Sequence, residues 1–279
     1  MSDKKTWLVT GCSKGLGAAL VRELIAQGYP VAATSRKRDS LVREFGDESE
    51  RFLPLSMDVT DEADVRAKVA EVERKFSRVD VVVNNAGYTH LATIEEIGMD
   101  EVRALFDVNV FGTMNVIRAF LPIMRAQGSG HIFNVSSLGA YNVGALSGPY
   151  CATKHAVKAL SETLALEVEK FGITVTDVKP GFMRTEFFGS SFRTTAPVNS
   201  PYEALYRDNM AFYEGQNGHQ EGSPEKAAKL YIEVAEMDEP YGSLPMGTDS
   251  CTGIRDICAN TVELMDAMLP VARRTDYDA

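Results

Sequence analysis

Tyr150 and Lys154 stand four residues apart in GPYCATKHAVKAL, and Ser137 closes an apolar run upstream of them. Four residues is one helical turn, so on a helix the phenol and the ammonium share a face. A free tyrosine has a pKa near ~10 and is a poor base at neutral pH, but a fixed cation beside it favours the phenolate. Bringing that pKa to about 7 takes roughly 4 kcal/mol, at about 1.36 kcal/mol per unit. An ammonium together with a cofactor charge can supply this. The pair therefore reads as a tuned acid/base. The bland alternative is two solvated side chains on one helix face, and the surroundings must separate the two.

Those surroundings alternate short apolar runs with longer amphipathic stretches. Strand-like runs fall at 6–10, 30–35, 52–57, 79–85, 130–137, 173–180 and 241–247. Helical patterns lie at about 15–28, 37–45, 61–76, 100–127 and 150–171, with further helices opening at Ser223-Pro224 and spanning about 251–269. Repeated β then α predicts parallel strands joined by crossover helices. The expected fold is α/β: a doubly wound parallel sheet of about seven strands with helices on both faces, in one domain over 1–279. The rhythm breaks at 182–223, which is rich in Gly, Ser, Thr, Asn and aromatics, among them Phe182, Phe187, Phe188, Phe192, Tyr202, Tyr206, Phe212 and Tyr213. A long irregular insertion of this kind predicts a substrate lid or a mobile segment.

The first strand runs into TGCSKGLG, which puts Gly11, Gly15 and Gly17 between strand and helix, with Ser13, Lys14 and Leu16 among them. Glycines permit a tight turn and close backbone approach, and a helix N-terminus offers free N–H groups to a pyrophosphate. The spacing differs from the G-x-G-x-x-G fingerprint, so a ligand-free turn is the competing reading. The second strand ends in AATSRKR. An NAD site usually carries an acid there, whereas Arg36 beyond Ser35, together with Lys14, suits the 2′-phosphate of NADP. NADP(H) is thus favoured, with NAD(H) possible.

In order along the chain come TGCSKGLG, Asp58-Val59, NNAG at Asn84 to Gly87, NVFG from Asn109, the serine pair 136–137, YCATK at 150–154 and PGFMRT at 180–185. With these the chain resembles the short-chain dehydrogenase/reductase family, in its branch with the turn written T-G-x-x-x-G-x-G. The resemblance runs from residue 6 to about 185. It implies Tyr150 as acid/base, Ser137 as hydrogen-bond donor to the substrate carbonyl, Lys154 on the nicotinamide ribose and Asn109 in a proton relay. Ser136 competes with Ser137 and would point to the other face of its strand. The resemblance also implies adenine contacts from Asp58 and Val59, and a ribose passing Asn85, Ala86 and Gly87. Pro180, Gly181 and Thr185 would hold the nicotinamide amide and phosphates. Helices near 100–127 and 150–171 commonly pair across a two-fold axis in that family, so the resemblance also implies a homodimer or homotetramer.

The implied activity is NADP(H)-dependent interconversion of a ketone or aldehyde and an alcohol on a hydrophobic small molecule. Pocket candidates are Leu138, Tyr141, Val143, Leu146 and Phe182, with Tyr88 to Leu91 at the rim. A 3-oxoacyl-thioester reductase is the alternative, and a non-catalytic NADP-sensing protein a more remote one. A net charge of −10 argues against nucleic acid as a partner. Cys12, Cys151, Cys251 and Cys258 show neither a disulfide framework nor metal spacing. They are read as reduced, mostly buried thiols of a cytoplasmic protein. The histidines are scattered, no metal site is expected, and no apolar run is long enough for a membrane span.

Overall fold

A computed structural model of the chain describes residues 4–185 and 191–277. Phe187 and Phe188 lie outside the described residues. The strands are β1 (Trp7–Val9), β2 (Val31–Ser35), β3 (Phe52–Ser56), β4 (Val81–Asn84), β5 (Thr89–Leu91), β6 (Gly130–Val135), β7 (Ile173–Pro180), β8 (Phe192–Thr194) and β9 (Ser243–Met246). The α-helices are α1 (Gly15–Ala26), α2 (Arg38–Phe45), α3 (Glu62–Phe76), α4 (Met99–Phe106), α5 (Gly112–Gln127), α6 (Gly148–Val168), α7 (Glu203–Gln216), α8 (Pro224–Ala235) and α9 (Thr248–Ala272).

Seven strands form one parallel sheet in the order β3-β2-β1-β4-β6-β7-β9. The order reverses beside β1, and the crevice outside the carboxyl ends of β1 and β4 is where such sheets bind ligands. Strand residues alternate between two cores, as a period of two requires. Trp7, Val9, Val31, Ala33, Val81 and Val83 pack against Leu20, Leu24 and Tyr231 of α1 and α8. Leu8, Ala32 and Val82 face the opposite way, against Val65, Val69, Phe120 and Leu164 of α3, α5 and α6. Burial on both faces is why these strands read as apolar runs without alternation.

Three features differ from the sequence reading. First, the 182–223 insertion is not wholly irregular. β8 lies within it and pairs in parallel with β5 as a separate two-stranded sheet, and α7 follows. Second, the helix expected over 100–127 is interrupted by a π-helical segment, Asp107–Phe111. Its composite, Met99–Gln127, has the length and apolarity of a span by composition alone, yet nearly half of its most apolar stretch is buried in the protein. Val116, Phe120 and Met124 supply that apolar face and belong to the second core. Third, Cys251 and Cys258 are exposed while Cys12 and Cys151 are buried, so only half of the thiols are core residues.

Candidate active site

At the carboxyl ends of the central strands lies a cavity of about 900 Å³. It is lined at one end by Gly11, Ser13, Lys14, Gly15, Leu16, Ser35 and Arg36, and beside them by Asp58, Val59, Asn85, Ala86 and Gly87. Ser137, Leu138, Tyr150 and Lys154 form the middle. Pro180, Gly181, Phe182 and Thr185, also predicted from sequence, line it as well.

Local chemistry explains this placement. Gly11 has φ 69° and Gly15 φ 64°, the left-handed region that favours glycine. A Cβ on Gly11 would stand 2.8 Å from Ala86 Cα. The turn thus brings bare backbone up to the cavity, and no described side chain caps the first turn of α1. Unsatisfied N–H groups at a helix N-terminus suit a pyrophosphate. Gly17 does not line the cavity. A Cβ there would meet Asn85 Nδ2 at 2.5 Å, so this glycine serves close packing. Asn85 Nδ2 donates to Thr10 O and Gly11 O at 2.9 and 3.2 Å, tying the glycine turn to the NNAG turn. Asp58 accepts from Thr60 N and Oγ1, which holds it on the cavity wall. These residues fit a dinucleotide.

Ser137 caps a short turn, accepting from Gly139 N at 2.9 Å. Ser136 also borders the cavity, but its hydroxyl is engaged, donating to Val178 O at 3.0 Å. Lys154 is 6% exposed, and its Nζ donates to Val135 O at 2.8 Å and lies 5.7 Å from the Tyr150 ring centre. Burial pulls the Lys154 ammonium down to about 8, with Asp177 opposing. Burial pushes the Tyr150 phenol up to about 12, with a hydrogen bond from Ser137 opposing. The protein alone therefore keeps this tyrosine protonated at neutral pH. A further cation bound in the cavity, such as an oxidised nicotinamide, would favour the phenolate.

Asn109 sits behind the cavity, 1% exposed. It accepts from Tyr88 N at 3.1 Å and donates to Tyr88 O at 3.0 Å and Thr153 Oγ1 at 3.1 Å. Thr153 Oγ1 donates in turn to Tyr150 O. Asn109 is thus a brace between the NNAG turn and the Tyr150 turn, set by the π-helical segment that carries it. Three pocket candidates from the sequence do not line the cavity. Tyr141 lies between Lys158 and Lys179, whose ammonium groups stand 5.2 and 5.4 Å from its ring centre. Val143 is 65% exposed. Leu146 is buried with φ 65°, and its carbonyl accepts from Ala92 N. In each case a loop reverses between Ala140 and Ser147 and turns the side chain outward or into packing.

The far wall comes from the insertion: Arg193 of β8 and Asn209, Phe212 and Tyr213 of α7 line the cavity. Phe182 and Phe212 meet edge to face, as do Phe192 and Tyr213. Arg193, Asn209 and Cys151 were not foreseen. Arg193 stacks over Tyr88 at 4.5 Å, through a β5–β8 pairing between residues about a hundred positions apart, which no local pattern marks.

The short chain dehydrogenase family matches residues 5–196. Oxidoreductase BOA17 of Botryotinia fuckeliana is 40% identical over 88% of this chain and 90% of its own. The NADPH-dependent pterin aldehyde reductase of Arabidopsis thaliana is 35% identical over 67% of this chain and 81% of its own. Among solved structures, a short-chain dehydrogenase from Streptomyces avermitilis superposes with a TM-score of 0.86 at 34% identity, covering 98% of this chain and all of that one. ElxO with NADP bound superposes at 0.73 with 26% identity, covering 89% and 99%. With a glycine turn, a serine, a tyrosine and a lysine gathered on one cavity at the end of this sheet, the chain belongs to the short-chain dehydrogenase family of oxidoreductases.

Proposed function

We propose that the protein interconverts a ketone or aldehyde and an alcohol on a hydrophobic small molecule, using NADP(H). The observation that carries this is one continuous cavity with the Gly11–Leu16 turn and Arg36 at one end, Ser137 and Tyr150 in the middle and the Phe182–Phe212–Tyr213 wall at the other. Arg36 beside Ser35 supplies positive charge where the adenosine ribose passes, and the NADP-bound ElxO and the NADPH-dependent pterin aldehyde reductase support the same choice. Bound there, the nicotinamide supplies or accepts the hydride.

The chain's own residues do the rest. Ser137 and Tyr150 converge on the carbonyl oxygen, where negative charge develops, and Tyr150 passes its proton to it. In the reverse direction the same phenolate takes the alcohol proton. Lys154, fixed by Val135 O, favours the phenolate and would also bond the ribose. The aromatic wall excludes water and buries the apolar part of the substrate. The test is a panel of hydrophobic ketones, aldehydes, secondary alcohols and acyl thioesters, each run with NADPH and NADH and followed by nicotinamide absorbance. Turnover of free carbonyls with NADPH preferred is expected. Turnover of acyl thioesters alone would replace this reading with thioester reduction, and no turnover across the panel would remove it.

A further inference from the structure

The last helix is anchored at its start and bare along the rest. Ser250 is its buried residue, the Gly253 backbone packs on Leu138, and every residue from Cys258 to Ala272 is exposed. At about 1.5 Å per residue the bare part extends roughly 22 Å beyond its anchor. Isolated helices of this length are marginal in water and owe their stability to packing of an apolar face. This helix has such a face. Ile254, Ile257, Thr261, Leu264, Met268 and Val271 recur at alternating spacings of three and four, which is the seam of a coiled coil. Leu264, Met268 and Val271 are 56%, 43% and 47% exposed. Met265 and Ala267 flank the seam, whereas Arg255, Asp256, Glu263, Asp266 and Arg273 fall on the outer face, together with the apolar Val262 and Leu269.

The seam is also its own mirror. Reversed end to end, Ile254 stands opposite Val271, Ile257 opposite Met268, and Thr261 opposite Leu264. Each seam position therefore meets another when a second copy is laid antiparallel about a two-fold axis. The helix dipoles favour the same arrangement, since antiparallel arms set them opposed while a parallel arrangement sets like ends together. The apolar strip presents on the order of 500 Å² per arm, so two arms cover about 1,000 Å², the size at which specific interfaces begin. An anionic lipid surface fits less well, since the outer face mixes acids and bases in a chain of net charge −10.

We propose that α9 pairs with α9 of a second copy of this chain as an antiparallel two-helix seam. This contact is separate from any pairing of α5 and α6. Because α9 packs at its start on the turn that carries Leu138, the pairing brings the last turn of the partner's arm close to the cavity wall.

Sedimentation equilibrium on the full chain at micromolar concentration tests this. The Leu264→Glu/Met268→Glu variant is expected to weaken association at least 100-fold, lowering the assembly by one step, with NADPH binding retained. Glu263→Lys on the outer face is expected to leave the mass unchanged. In a Cys251→Ser background, Met265→Cys is expected to form an oxidised dimer linked to Cys258 of the partner subunit. Three results would each overturn the proposal: an unchanged mass for the double variant, an oxidised Met265→Cys variant with no link to Cys258 of the partner subunit, or a monomeric wild type that sediments with phosphatidylcholine/phosphatidylglycerol vesicles.

Discussion

At the scale of single residues, the electrostatics of Tyr150 and Lys154 run against the simplest reading of their spacing. Sequence puts them one turn apart, and the structure keeps them so, but burial opposes charge on both. Tyr150 is pushed up to about 12 and Lys154 pulled down to about 8. Tyr150→Phe is expected to lower turnover by about 10³-fold, within the usual span of general acid–base catalysis. Its NADPH dissociation constant, read by fluorescence quenching, should stay within about 2-fold. Lys154 makes a second prediction. In the unfolded chain it stays protonated up to its ordinary pKa of 10.5, while in the folded protein it loses its proton near 8. The unfolded state therefore binds more protons between those values, and the cost of burying the charge is relieved as pH rises through that window. Against Lys154→Met, the wild type should gain about 3 kcal/mol in urea unfolding from below pH 8 to above 10.5, on the order of 1.36 kcal/mol per unit. A constant difference would show that Lys154 does not change its charge on folding.

At the scale of elements, the glycine turn joins fold and site. Gly17 was read as a cofactor contact, and its packing against Asn85 gives it another task. Gly17→Ala sets a methyl group against Asn85 Nδ2 and Gly11 O. A cost of about 2 kcal/mol is expected, typical of overpacking, together with weaker NADPH binding because the Asn85 bonds to Thr10 and Gly11 must shift. Equal stability of the variant and the wild type would contradict this. The seven strands of the main sheet were legible because each is a buried apolar run bounded by turn residues. β5 and β8 were not. Each is three residues long, and their pairing is set by where the insertion folds back, not by their own composition. The π-helical segment at Asp107–Phe111 was also invisible, since a helix with one extra residue in its turn keeps nearly the same apolar pattern.

At the scale of the whole molecule, the cavity couples a cofactor end to a substrate wall drawn from distant parts of the chain. Ligand binding to the folded state alone raises stability by mass action, by about 2.7 kcal/mol at a hundredfold excess over Kd. In a chain of this size that is a rise of roughly 5 °C in thermal midpoint. NADPH is expected to produce it and NADH at equal concentration a smaller one. Arg36→Ala should narrow the gap between them, and a gap that stays the same would take the NADP preference away from Arg36.

The sequence by itself determined the order of strands and helices, the glycine turn and the Ser137–Tyr150–Lys154 set. These depend on local periodicity and on spacings within one strand-to-helix unit. Tertiary structure decided the rest of the site. It withdrew Tyr141, Val143 and Leu146 from the cavity, supplied Arg193 and Asn209, and brought Phe212 and Tyr213 of the insertion to the far wall. It made Asn109 a brace, and it left the apolar seam of α9 uncovered. Which side chain reaches a cavity depends on where loops turn and which distant strands pair, and those are balances of burial over the whole chain that no local spacing records.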